Sequence, residues 1–216
     1  MTPYSTDAFL EALTSYNQVI WPGQLSVFFL SALLFGLLLF PRKNSDRVIA
    51  GLLAFSWIWD GLIFMNLHLI HLNWSVSYFG FVFAIQGLLL IWSGIIKNRL
   101  NFTGDASVAS WLGVALVIFA LIIYPLVQIA IGIDWMTVQY VGAAPTPTVI
   151  LTLGILLLCA DRVPIHLMVI PVVWSCADGV TAWNLSLWWD LSLPLAGLLT
   201  VFFSLMRQKN ASKSVD

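Results

Sequence analysis

Six side chains set in apolar surroundings could do chemistry in this chain. Asp60, Trp57, Gln86 and Asp178 form a candidate substrate- or ion-binding set, and His68 and His71 a candidate proton path or metal pair. Asp60 anchors them. It sits inside 48–74, VIAGLLAFSWIWDGLIFMNLHLIHLNW, a stretch long and apolar enough to cross a bilayer. A carboxylate at the centre of a spanning helix costs about 2.5–3.5 kcal/mol on insertion scales, so such residues mark functional sites by default. On a helix starting at Val48, Asp60 falls roughly 18 Å along, a little past the midplane. Asp60, Phe64, His68 and His71 are spaced by four, four and three residues, which places them on one face of an α-helix. That stripe reads as a proton path, or as half of a metal site open to the outside. A metal needs a third ligand, and Asp178 and Asp190 are the acids expected on the same side. The plainer alternative has Asp60 bonded to a neighbouring helix and both histidines wetted at the interface.

The other polar residues carry similar pairs of readings. Asp178 either mirrors Asp60 or begins an outer loop. Gln86 and Gln128 suit interhelical hydrogen bonds. His166 is expected at the interface. Trp57 and Trp174 fall near the two aspartates and would floor a small cavity between them.

The elements that must hold these residues are membrane helices. The 216-residue chain is 60% hydrophobic and 9% charged, with a mean hydropathy of +0.94; soluble domains carry about 25% charged residues. The expected fold class is all-α, a polytopic membrane protein with residues 1–216 as a single transmembrane domain. Residues 1–20 read as an amphipathic interfacial segment, 21–206 as a seven-helix bundle, and 207–216 as a cytoplasmic tail. The seven helices are expected near 22–40, 48–68, 78–96, 109–131, 147–160, 163–177 and 191–206. Pro125 is expected to kink the fourth, and the fifth is short for a span. All nine basic residues (Arg42, Lys43, Arg47, Lys97, Arg99, Arg162, Arg207, Lys209, Lys213) fall on one side of this arrangement. The positive-inside rule then gives N-out/C-in, and Trp21, Trp74, Trp135, Trp183, Trp188 and Trp189 form an outer aromatic belt.

Several classes are excluded or weakened. No basic block suggests nucleic acid. No basic and then apolar leader marks a cleavable signal, so the first span is expected to target the chain. No lysine lies inside a helix, so a retinal Schiff base has no attachment point. The seventh helix lacks the HxxxH of alkaline-ceramidase-type zinc hydrolases. Neither a Gly-rich phosphate loop nor a serine nucleophile motif is present. Cys159 and Cys176 read as two buried thiols in poor geometry for a disulfide.

The halves show a faint internal similarity. A shift of 118 residues places Gly36 on Gly154 and Asp60-Gly61 on Asp178-Gly179; a shift of 110 places Gly87 on Gly197 and Lys97 on Arg207. This would be a parallel 3+1+3 repeat, the plan of SWEET-type transporters; the alternative is chance agreement among Leu-rich helices.

A wider resemblance runs over nearly the whole chain. Ser15-Tyr16-Asn17, Ile20-Trp21-Pro22, Gln24, Asn73, Phe79-Gly80 with Gln86, Tyr124-Pro125-Leu126, and Ala144-Pro145-Thr146-Pro147-Thr148 leading to Leu153-Gly154 carry it. Together they resemble an uncharacterised bacterial family of multi-pass membrane proteins, catalogued as a domain of unknown function. The resemblance implies residence in the bacterial inner membrane and no particular chemistry. A histidine is expected near position 65 in that family; this chain has Met65.

Three functions remain in view. The leading one is a non-enzymatic transporter or channel-like protein for a small solute, proton or ion, with Asp60, Trp57, Gln86 and Asp178 lining its path. The second is an accessory subunit, packing on other membrane subunits or on copies of itself. The third is a metal-dependent membrane enzyme using His68 and His71, the one cofactor the residues suggest.

Overall fold

The computed structural model describes residues 4–160 and 164–213, with side chains to residue 208. The turn expected at Asp161 and Arg162 lies outside the described residues, as do residues 1–3, 214–216 and the side chains of Lys209 and Lys213. Among the described residues the fold is all-α, with eight helices: α1 Thr6–Ile20, α2 Gly23–Leu39, α3 Ser45–His71, α4 Val76–Ile96, α5 Val108–Ala130, α6 Pro145–Leu157, α7 Ile165–Asn184 and α8 Ser192–Lys213.

By length and composition α3, α4, α5 and α7 can each cross a membrane. Helices α1 and α2, bent by 88° at the break between them, make a fifth crossing if taken as one broken span. Among the described residues, length and composition thus show four or five crossings. The fifth expected span, α6, has only 13 residues, about 20 Å of helix against a hydrocarbon core of about 30 Å. Every residue of α6 is buried, because it runs through the middle of the bundle against α3, α5, α7 and α8.

Close packing around α6 depends on absent side chains. Where α5 crosses α6, a Cβ on Gly154 would lie 2.9 Å from the Gly113 carbonyl oxygen, and one on Gly113 would lie 2.7 Å from that of Gly154. Small residues at such crossings let two backbones approach and gain dispersion contact where lipid offers no hydrophobic drive. Threonines complete the helix internally. Thr148 donates to the Ala144 carbonyl (2.8 Å) and Thr152 to that of Thr148 (2.8 Å). The Trp57 indole of α3 donates to Thr152 at 2.8 Å.

Carbonyls at and just past the C-terminal end of α6, where no helical donor follows, are capped from α8. The Arg207 guanidinium donates to the carbonyls of Cys159 (2.7 Å), Ala160 (3.0 Å) and Leu157 (3.4 Å), and pairs with Asp105 at 2.8 Å.

Prolines shape two other helices. Pro125 has no N–H to give its preceding turn, and α5 widens to π-helical bonding over Phe119–Ile123 just before it. Pro171 likewise leaves the Leu167 carbonyl of α7 without its helical donor, and Gln86 of α4 donates to that oxygen at 2.9 Å.

Two sequence expectations are corrected here. Helix α7 runs on to Asn184, so Asp178 is a helical residue and not the start of a loop. Of the two thiols expected to be buried, Cys159 is buried but Cys176 is exposed.

Described cations gather at one end of the bundle. Arg47 donates to Asn98 (2.9 Å), Asp46 accepts from the Phe102 amide (2.9 Å), and Arg207 meets Asp105, which ties the first turn of α3 and the end of α8 to the α4–α5 loop bearing Lys97 and Arg99. Helix α1 lies across the opposite end. Asn17 donates to the Met136 and Val138 carbonyls (2.7 and 3.0 Å), and the Thr14 and Thr137 hydroxyls hydrogen-bond at 2.7 Å.

Candidate functional site

At the end away from the cations, the ends of α3 and α7 and the starts of α1, α4 and α6 enclose a cavity of about 190 Å³. Its polar lining includes Asp178, Asp190, Thr146 and Gln139, and its apolar wall Phe64, Phe79, Trp174 and Phe9. No Lys, Arg or His is among the lining residues.

The two acids reach the cavity by different routes. Asp178 projects from the last turns of α7, and the Thr146 hydroxyl, from the first turn of α6, donates to it at 3.2 Å. Asp190 sits in the short α7–α8 connection and is buried. It accepts from the Tyr124 hydroxyl of α5 and from the Gln139 amide (3.2 and 3.3 Å). Burial pushes the Asp190 carboxyl up to about 6, against the lowering effect of the bonds from Tyr124 and Gln139. The Trp174 indole N–H on the cavity wall is buried and has no hydrogen-bond partner.

Asp60 lies deeper, and it does not line this cavity. It is fully buried, and neither carboxylate oxygen has a hydrogen-bond partner. Thr148 stands beside it, but that hydroxyl gives its proton to Ala144 and accepts from the Gly142 amide. An acceptor buried without a donor costs about 1–3 kcal/mol. Asp60 is also the first residue of a π-helical stretch, Asp60–His68; such stretches concentrate at functional sites.

That stretch dissolves the stripe expected from α-helical spacing. Its i→i+5 bonding widens the turn, so Asp60, Gly61, Phe64, Met65 and Leu69 face inward. His68 is turned to the side, its Nδ1 3.1 Å from the Ile63 carbonyl and its ring edge-on to Tyr16. His71 is exposed. Among the described residues no three His, Cys, Asp or Glu side chains gather as a metal site.

Trp57 and Gln86 also stand apart from the cavity. Both are fully buried, Trp57 bonded to Thr152 and Gln86 to the carbonyl freed by Pro171. Aromatic contacts still connect the regions. Trp57 packs on Phe83 at 4.4 Å between centroids, Phe83 on Trp174 at 4.9 Å, and Trp174 on Phe79 at 5.4 Å. Of the expected set, Asp178 alone lines the cavity; it is joined by Asp190, Thr146, Gln139 and, one bond back, Tyr124. Tyr124 and Thr146 stand in the motifs that carry the family resemblance, which was the available signal for them. Gln139 has no sequence signal, since only the fold of the α5–α6 connection brings it to Asp190.

No curated protein and no solved structure matches the chain. One family model does, along almost its entire length, and the long apolar helices agree with the membrane character expected of such a family. The chain belongs to DUF6064, a family of unknown function, whose model matches residues 6–214.

Proposed function

We propose that this is a small membrane transport or channel-like protein for a small monovalent cation, the proton included. The cation enters at the cavity between Asp178 and Asp190, and Asp60 is the carboxylate further along. The observation that carries this reading is the cavity itself: two acids, aromatic walls and no cation, at the end of the bundle away from Lys and Arg. Carboxylates supply the charge complement, and aromatic faces attract cations at close range. Asp60, a fully buried carboxyl whose oxygens accept no hydrogen bond, is the second support.

The finer architecture belongs to the same proposal. Clustering of the described cations supports a cytoplasmic face at that end, hence N-out/C-in in a bacterial inner membrane, with α2 to α8 as seven elements of alternating direction. A repeat is supported by equivalent crossings. Gly61 of α3 meets α4 at Phe83 and Ala84, and Gly179 of α7 meets α8 at Pro194. Gly87 returns onto α3 at Ile58, and Gly197 onto α7 at Ser175. The shifts of 118 and 110 residues map Gly61 on Gly179, Gly87 on Gly197 and Ala84 on Pro194.

Uptake of radiolabelled tetramethylammonium, which cannot cross lipid unaided, tests the reading in proteoliposomes. Protein-dependent uptake is expected, slowed at least tenfold by Asp60→Asn. Uptake no faster than in empty liposomes, with no protein-dependent proton flux under an imposed pH gradient, would overturn the transport reading, and an unchanged rate in Asp60→Asn would remove Asp60 from the path.

A further inference from the structure

The cation end of the bundle carries a second, larger cavity of about 500 Å³, lined by Trp92, Ser93, Lys97, Arg99, His166 and Gln208 among others. Among the described residues the one salt bridge is Arg207 with Asp105, so neither Lys97 nor Arg99 meets a described carboxylate. The Lys97 ammonium lies 4.7 Å over the Trp92 ring, held toward the cavity. Ser93 and His166 hydrogen-bond across the cavity wall at 2.9 Å. The N-terminus of α7, with its partial positive charge, enters the same space at Ile165 and His166.

A second hollow of about 350 Å³ continues from it. It runs between α7 and α8 and is lined by Met168, Val169, Val172, Val173, Val201 and Leu205 with few polar atoms; Ile165 and Gln208 line both cavities. From Ile165 to Val173 it follows α7 for about 12 Å, where Val169 and Val173 of α7 and Leu205 of α8 are exposed. Paired cations at the mouth of an apolar groove on a membrane helix match an amphiphile with an anionic head, and basic pockets between membrane helices bind such headgroups.

We propose that this site binds one anionic phospholipid of the surrounding bilayer, its phosphate between Lys97 and Arg99 and an acyl chain in the α7–α8 groove. The site lies at the opposite end from the carboxylate cavity and does not depend on that cavity's function. Native mass spectrometry of the intact protein, released from non-ionic detergent after incubation with phosphatidylglycerol, phosphatidylcholine or inorganic phosphate alone, tests it. One retained phosphatidylglycerol is expected, favoured about tenfold over phosphatidylcholine. Lys97→Gln and Arg99→Gln should each lower that preference about fivefold, while Lys97→Arg keeps it. Val169→Trp, which fills the groove from its exposed side, should lower phosphatidylglycerol retention with both cations intact. Equal retention of the two lipids, or a preference unmoved by Lys97→Gln and Arg99→Gln, would overturn the proposal. So would displacement of the lipid by inorganic phosphate alone, which would make the site one for a free phosphoryl group.

Discussion

Gln86 and Pro171 work as a pair. Pro171 removes the donor that the Leu167 carbonyl would have had, and Gln86 supplies one from another helix. Gln86→Leu should therefore cost about 1–3 kcal/mol, seen as a lower unfolding midpoint in detergent. In a Pro171→Ala background, where the helix regains its own donor, the same change should cost clearly less; equal costs in both backgrounds would refute the pairing. Asp190 sets a pH dependence. Its carboxyl is raised to about 6 from an ordinary 3.8, so between those values the folded protein holds more protons than the unfolded chain. Stability from this group is largest at low pH and declines as pH rises toward 6. Cation affinity runs the other way, because only the carboxylate attracts a cation. Tetramethylammonium should bind more tightly at pH 7 than at pH 5, and Asp190→Asn should flatten that dependence. Asp60 adds a stability prediction: Asp60→Leu should raise the unfolding midpoint by removing an unsatisfied buried acceptor, worth about 1–3 kcal/mol, whatever it does to transport.

At the scale of elements, α6 is the part whose integrity the others depend on. Its open carbonyl end is closed by Arg207, whose fork reaches three carbonyls and Asp105. Arg207→Ala should destabilise by about 1–3 kcal/mol, and Arg207→Lys should recover only part of that because an ammonium lacks the planar fork. Asp105→Asn should cost less than about 1 kcal/mol, since that pair is half exposed to solvent. Slight burial raises the Asp105 carboxyl, but hydrogen bonds from Ser107 and Ser110 and the charge of Arg207 outweigh it and hold it at about 2. Its contribution is thus present above the ordinary carboxylate value and fades as pH falls toward 2. Helix existence was legible because runs such as 109–131 are apolar and bounded by polar loops. Bonding within helices was not: among the described residues three π-helical stretches, at Asp60, Ile91 and Phe119, widen turns that spacing rules treat as uniform. For that reason the α-helical face expected of Asp60, His68 and His71 is broken, and the short apolar run at Pro145 is a helix of 13 residues buried along its whole length.

The whole molecule separates its charges. Described cations lie together at one end with a lipid-shaped site, and Asp178 and Asp190 share a cavity at the other. Asp178 was legible as the counterpart of Asp60 under the 118-residue shift and Asp190 as an acid on the same side, but the bonds of Asp190 to Tyr124 and Gln139, 66 and 51 residues away in the chain, come only from the fold. Equilibrium binding of radiolabelled tetramethylammonium to the purified protein at pH 7 tests the central claim most directly. Saturable binding that Asp178→Asn and Asp190→Asn together reduce at least tenfold, and that Lys97→Gln leaves unchanged, is the result expected. Binding that persists undiminished in the double variant would contradict it.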